Sequence, residues 1–411
     1  MTKNIIISLF LAILFSFLLL SIKESLPLIY EYSMNIVVII STVFIRLLKF
    51  TIVPIVILSL MNGIINLNSV KDLRIVGLKT LSMFFITTVI ALLLSISISQ
   101  LLSAGLDFGS AVSKDAVAVT TTNTPSFIDN IANMVPDNII APMLNNNMIQ
   151  IIFIAVAFGI AILGASKDDK ASLTNAVAQL EKLVIAVITM IMRLTPIGIF
   201  ALITKSLATQ GFLVLGAMIE YAGIMFLILF VHLLLVYLPL IKISGVNIIS
   251  FIKKSSPALA LAFSTTSSNA ALPVTMKVAE EKLGIDKSIF SFVLPLGATI
   301  HMNATAIMQG LAVVFLSNIY GVEMTIIDYI GVGALAVIAT VGAAGIPGTG
   351  IITLTMILVQ YGIPVEGIAI IIGVDRLMEM FRTLINVGGD LVVALIVAKS
   401  ENKLDLQEAN S

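Results

Sequence analysis

The stretch from Asp375 to Asp390, DRLMEMFRTLINVGGD, holds Asp375, Arg376, Glu379, Arg382 and Asp390 in a chain of 411 residues of which only 11% are charged. On a helix at about 100° per residue, Asp375, Glu379, Arg382, Asn386 and Asp390 fall within about 80° of arc, with Thr383 just beside them. They make one polar stripe. A charge at the bilayer centre costs roughly 2.5–3.5 kcal/mol even on the gentler insertion scale, so the stripe must face protein or water. Its chemistry is that of recognition. The planar fork of Arg382 suits a carboxylate, Glu379 suits an ammonium, and Asp390 with Asn386 offers hard oxygens to a small cation. A plainer reading has Glu379 and Arg382, three residues apart, neutralising each other, but it leaves Asn386 and Asp390 without a role. An ion-driven amino-acid carrier uses all of them.

The rest of the chain is built for lipid. Hydrophobic residues make up 59% of it and the mean hydropathy is +1.12, far above soluble usage, so this is a multi-span membrane protein with the lipid bilayer as its solvent. The net charge is zero and no basic block occurs, so no nucleic acid is expected as a partner. With no cysteine, thiolate catalysis and Cys-ligated metals are excluded. Two histidines, His232 and His301, are too few for a His-ligated centre. His232, in VHLLLVYLP, reads as a buried, hydrogen-bonded core residue. The apolar N-terminal run has no small-residue cleavage site and reads as a retained first span.

Apolar spans are marked near 4–22, 35–66, 76–103, 149–164, 173–203 and 213–242, all expected as helices. Basic groups recur at Lys71 to Lys79, Lys167 and Lys170, Lys242 to Lys254, Lys277 to Lys287, and Lys399 and Lys403, whereas 104–148 is acidic. The positive-inside rule then puts both termini in the cytoplasm. Residues 255–276 carry a Ser/Thr/Asn knot between apolar arms, flanked by Lys254 and Lys277, and read as a re-entrant hairpin. Residues 328–361 repeat the plan around TVGAAGIPGTG, Thr340 to Gly350. Two interrupted segments in corresponding halves point to a transporter site between inverted repeats.

Particular motifs sharpen this. IRLLKFTIVPIVILSLMNGI (45–64), MVPDNIIAPMLNNNMIQIIF (134–153) and LTPIGIFALI (194–203) resemble the second helix, the start of the fourth and the end of the fifth of a known carrier family. TTSSNAALPVTM (265–276) and AAGIPGTG (343–350) are similar to its two hairpin tips, LPLGATIHMNAT (294–305) to its seventh helix, and the stripe to its eighth. The sequence is identified on these motifs as a member of the dicarboxylate/amino acid:cation symporters, the glutamate transporter group, over nearly its whole length. The resemblance implies an all-α integral membrane fold with eight transmembrane helices plus two re-entrant helical hairpins, a homotrimer and an elevator motion. It divides the chain into 1–250, mainly scaffold and trimerisation helices whose third and sixth travel with the transport domain, 251–400, the transport core, and 401–411, a cytoplasmic tail.

Carried over by position, the resemblance puts substrate contacts at Thr266, Ser267 and Ser268 and at Thr305. It adds Ile346, Pro347, Gly348, Thr349 and Gly350, then Glu379, Arg382, Thr383 and Asn386. Arg382 would hold the substrate's side-chain carboxylate and Glu379 its amino group. One sodium would take Asp390, Asn386 and the carbonyls of Gly297 and His301, and a second the carbonyls of Thr299, Thr340, Val341 and Ala343.

Three departures from the family pattern bear on function. Glu379 stands where aspartate is usual, which argues for aspartate over glutamate as substrate. Acidic amino-acid carriers usually have arginine at the position of Thr266 or of Met380, and this chain has it at neither. The usual Asn-Met-Asp-Gly-Thr of the seventh helix reads His301-Met302-Asn303-Ala304-Thr305. In sodium-coupled members those Asn and Asp side chains, with hydroxyls at the positions of Thr87 and Thr88, hold a deep sodium. Asn303 lacks the charge that site needs and His301 can carry a proton, so the third site is expected to be absent or replaced by a proton on His301.

The sequence therefore reads as a symporter, and no enzyme, in the cytoplasmic membrane of a prokaryote. Its cargo is a small acidic amino acid, aspartate or glutamate. It needs no cofactor beyond its coupling ions, sodium with protons as the other candidate. Cystine, neutral amino-acid and dicarboxylate carriers are the rivals within the family. A channel is the rival outside it, and an intramembrane aspartyl protease is excluded because Asp375 and Asp390 lie about 22 Å apart along one helix.

Overall fold

A chain dissolved in lipid must pair every backbone N–H and C=O within itself, and helices do so segment by segment. The computed structural model describes residues 2–67, 74–105, 135–145, 147–210, 213–341 and 348–410; they are almost wholly helical, with no strand among them and one isolated bridge, Ile285 to Leu404. The first elements are α1 (Thr2–Ile22), α2 (Pro27–Leu67), α3 (Arg74–Gly105), the short α4 (Ile140–Asn145) and α5 (Met148–Gly164). At 41 residues, α2 is about 60 Å long and exceeds an upright crossing.

The expected span over 173–203 is instead two helices, α6 (Lys167–Arg193) and α7 (Thr195–Gln210). Pro196 supplies the reason, since its ring is tolerated in a first helical turn and disrupts an interior one. The span over 213–242 is α8 (Leu213–His232), a π-helical turn over Leu233–Tyr237, and α9 (Leu238–Ser244). Pro239, at the start of α9, has no N–H to continue the regular ladder, and the wide turn before it buries Val236 and Tyr237.

The first hairpin is present as α10 (Ile248–Thr265) and α11 (Ser268–Glu281), folded against each other. The chain reverses at Thr266, in the left-handed region at φ 53, and the Ser267 side chain caps α11 by accepting the Ala270 N–H at 3.2 Å. The seventh helix is broken at His301 and Met302 into α12 (Lys287–Ile300) and α13 (Asn303–Tyr320). Pro295 and Gly297 weaken the helix just before the break. The arms of the second hairpin are α14 (Ile326–Val341) and α15 (Thr349–Gln360); its breaker at 342–347 lies outside the described residues. The polar stripe rides on α16 (Ile368–Ser400), and the chain closes with α17 (Leu406–Asn410).

Packing sorts these helices. α2 lies against α5, α6 and α7, and α1 against α7, while α3 runs along α13 and α16 is surrounded by α8, α9, α10, α12 and α13. In the 18-residue apolar windows of the spans Lys287–Tyr320 and Val365–Ser400, 89% and 78% of residues are buried, against 33% for Pro27–Asn62 and 17% for Lys167–Ile191. The two segments that carry the candidate site are therefore the innermost. Behind α16 the tail returns to the start of α12, where the Asp286 N–H donates to Lys403 O at 3.1 Å and the Asp405 N–H to Gly284 O at 2.9 Å. Hydrogen bonds from the Ser288 hydroxyl and N–H hold the exposed Asp286 carboxyl below its usual range.

Candidate functional site

The whole stripe is buried, as the cost of charge in lipid demands: Asp375, Glu379, Arg382, Thr383, Asn386 and Asp390 all lie inside the protein. Its pairing differs from the i, i+3 pair that spacing offers for Glu379 and Arg382. Arg382 Nη2 lies 2.7 Å from Asp375 Oδ1, and Glu379 Oε2 lies 2.5 Å from Nη1 of Arg376. The sequence reading missed Arg376 as a site residue because, about 100° from Asp375, it stands off the stripe. Three residues before Glu379, it is that carboxylate's neighbour on the helix surface, and four buried charges cancel in two pairs.

The same helix meets both hairpins. Glu379 Oε1 accepts the backbone N–H of Gly348 at 2.7 Å, so the start of α15 is tied to the carboxylate expected to meet an ammonium. Gly348 is left-handed at φ 89, a conformation that favours glycine. A Cβ on Gly350 would stand 3.1 Å from Met308 Cε and 3.8 Å from Arg382 Nη2, so that backbone packs closely on Met308 and lies beside the guanidinium. Between these elements lies a cavity of about 30 Å³, lined by Thr266 and Ser268 of the first hairpin, Met302 and Thr305 of the seventh helix, and Thr349 and Gly350 of the second hairpin. Glu379, Arg382, Thr383 and Asn386 complete it. That volume holds a water and is far below the few hundred cubic ångströms of a small-molecule site, so an amino acid does not fit the cavity as it stands.

The expected substrate residues are thus brought together with three exceptions. Ser267 is spent on the helix cap, and Ile346 and Pro347 lie outside the described residues. Met302 is an addition that the sequence reading did not make.

Two of the three expected cation sites, the one at Asp390 and the deep one at Thr87 and Thr88, meet at one imidazole. His301 Nδ1 lies 2.8 Å from Asp390 Oδ1 and its Nε2 2.9 Å from Thr87 Oγ1, and Phe84 stacks on the ring at 4.3 Å. Thr88 donates to Asn303 Oδ1 at 2.7 Å, and Asn303 Nδ2 donates to Tyr237 Oη at 3.2 Å. The π-helical turn is what brings Tyr237 here. A Cβ on Gly389 would collide with the Tyr237 hydroxyl, and one on Gly297 would stand 2.5 Å from Asp390 Oδ1, so both glycines are required by close approach.

The donor set suits a small hard cation in part. Asp390 and Asn386 carry hard oxygens and Asp390 rests on the Gly297 backbone, but His301 engages Oδ1 of Asp390 and Asn386 Oδ1 accepts the Ala304 N–H at 2.9 Å. Among the described residues no three His, Cys, Asp or Glu side chains gather as a metal cluster, so a cation here takes mainly amide and carbonyl oxygens. Thr299 bonds its hydroxyl back to Leu296 O at 2.8 Å. The remaining residues of the second expected sodium site are Thr340 and Val341, described only as helical backbone, and Ala343, which lies outside the described residues. His232 is buried as expected, but neither of its ring nitrogens has a hydrogen-bond partner among the described residues. Its ring meets Tyr237 edge-on at 4.8 Å instead.

Known proteins place this arrangement. The model of the sodium:dicarboxylate symporter family matches residues 1–400. This chain belongs to that family. Among its relatives in the sodium:dicarboxylate symporter family, the proton/glutamate-aspartate symporter of Escherichia coli K12 is 31% identical over 89% of this chain and 86% of its own. The proton/sodium-glutamate symport protein of Bacillus caldotenax is 32% identical over 89% and 87%. The C4-dicarboxylate transport protein of Cupriavidus taiwanensis is 30% identical over 88% and 84%. Membership makes this chain a secondary symporter of the membrane, and the relatives divide on whether the cargo carries an amino group.

Proposed function

We propose that this family member imports a small acidic amino acid, aspartate or glutamate, by symport with sodium or protons. One observation carries the substrate class: Glu379 and Arg382, opposite charges on one buried wall, meet hydroxyls and backbone of both hairpins around a single cavity. A dicarboxylate has no ammonium for Glu379, and most neutral amino acids have no second carboxylate for Arg382. The relatives named for glutamate and aspartate support the same reading.

In this reading Asp375 surrenders Arg382 and Arg376 surrenders part of Glu379 when substrate binds, and Gly348 leaves Glu379 as the second hairpin opens. The coupling ion is held around Asp390. The arrangement of His301 between Asp390 and Thr87 favours a proton in place of the deep sodium. The helices α1, α2, α4, α5, α6 and α7 form the static scaffold and the rest the moving core, in the eight-helix, two-hairpin trimer with cytoplasmic termini that the family resemblance implies. The apolar seam of Ile55, Val56, Leu60 and Ile152 against Ile352 and Met356, with no ion pair across it among the described residues, suits sliding.

The test is uptake of labelled L-aspartate into proteoliposomes under separately imposed inward sodium and proton gradients, with glutamate, cystine, serine and succinate as competitors. Accumulation against a gradient with competition by glutamate is expected. Competition by succinate alone would move the assignment to the dicarboxylate carriers.

A further inference from the structure

Away from the candidate site, at the end of the bundle that carries the tail, a cavity of about 1040 Å³ opens between the end of α9, both ends of the first hairpin and α17. Its walls are built. The Asn247 N–H donates to Asn410 Oδ1 at 2.7 Å, Asn410 Nδ2 donates to Gly245 O at 3.2 Å, and the Ser250 hydroxyl donates to Ala409 O at 2.8 Å. Lys254 adds a bond from its ammonium to Glu408 O. Four lysines line the cavity, Lys242, Lys253, Lys254 and Lys282, against two carboxylates, Glu281 and Glu408, and Glu281 is paired with Lys277 at 3.7 Å.

Lys242, Lys253 and Lys282 are exposed and none has a carboxylate within 4.0 Å among the described residues. Beside them Ile243, Ile249 and Ile252 are exposed as well, Ile249 at 76%. Ammonium groups converging above uncovered isoleucines, on helices that pass into lipid, match a molecule with an anionic head and apolar tails.

We propose that this cavity seats the phosphate headgroup of an anionic phospholipid, with its acyl chains along the isoleucines. A soluble anion would use the lysines alone, whereas a lipid uses the lysines and the neighbouring isoleucines together. The lipid would bridge α9, the first hairpin and the tail, fastening the base of the hairpin to the core. The inference rests on the membrane reading of the chain and not on its substrate.

The experiment is lipid retention and thermal unfolding of the full chain purified in detergent and supplied with phosphatidylglycerol, phosphatidylcholine or inorganic phosphate. Phosphatidylglycerol is expected to be retained and to raise Tm by several degrees, with the other two doing neither. The triple variant Lys242→Gln, Lys253→Gln, Lys282→Gln is expected to lose retention at least fivefold. A control triple at the exposed Lys23, Lys167 and Lys182 should retain the lipid as before. Equal retention of both phospholipids, an equal Tm rise with inorganic phosphate, or undiminished retention by the first variant would each overturn the proposal. None of these readouts depends on transport, so they stand apart from the uptake assay.

Discussion

His301 joins Asp390 to Thr87: its two ring nitrogens lie 2.8 Å from the carboxylate and 2.9 Å from the hydroxyl. Thr87 has one hydroxyl hydrogen, and the Met83 carbonyl stands 2.8 Å away to take it. With that hydrogen on the Met83 carbonyl, His301 donates from Nε2 to Thr87 and the Nδ1 to Asp390 contact needs a second proton; with it on Nε2 instead, the Nδ1–H alone serves Asp390. In the first arrangement the pair carries two protons, one on Nε2 and one between Nδ1 and Oδ1, as imidazolium and carboxylate or as imidazole and carboxylic acid. A cation at Asp390 competes with that proton for Oδ1.

Replacing His301 with Asn and Asn303 with Asp together removes the imidazole and restores the charge a deep sodium needs. Sodium stoichiometry should rise, read as a higher Hill coefficient for sodium-driven uptake, and uptake should become less dependent on a proton gradient. An unchanged coefficient would make His301 structural.

Arg376 neutralises Glu379 from within the same helix. Arg376→Met leaves a buried carboxylate with the Gly348 N–H as its remaining partner, which costs about 3–5 kcal/mol for a buried pair broken on one side. Thermal unfolding should fall by several degrees and uptake should be lost. Arg376→Met with Glu379→Gln should recover much of the stability, because no charge is stranded, yet leave uptake of amino acids impaired. Recovery of both would remove Glu379 from the binding site.

Gly389 and Tyr237 pack hydroxyl against backbone with no room for a methyl group. Gly389→Ala should destabilise by about 1–3 kcal/mol through overpacking. Tyr237→Phe in the same chain removes the colliding hydroxyl and should return part of that loss, a coupling that a double-mutant cycle measures. Additive effects would place the clash elsewhere.

Thr266 holds a left-handed backbone at φ 53 that a β-branched residue rarely adopts. Thr266→Gly should therefore raise Tm slightly or leave it unchanged. It should also lower uptake, since the Thr266 side chain lines the cavity. Full uptake by this variant would remove Thr266 from the substrate contacts.

The sequence by itself determined the solvent, the helical class and the polar stripe, because burial of charge and a period of 3.6 act along the chain without reference to its neighbours. It also marked the first hairpin's turn, where Ser267 is a local cap. It misread 173–203, where one proline outweighed continuous hydropathy, and it passed over Arg376 as the partner of Glu379 because that arginine lies just off the edge of the stripe. Only the tertiary structure decided that a π-helical turn delivers Tyr237 to Asn303, and that His301, Asp390 and Thr87 meet. Those three residues come from α16, α3 and the break between α12 and α13, far apart in sequence. Their meeting depends on the stacking of whole helices, which local periodicity does not encode.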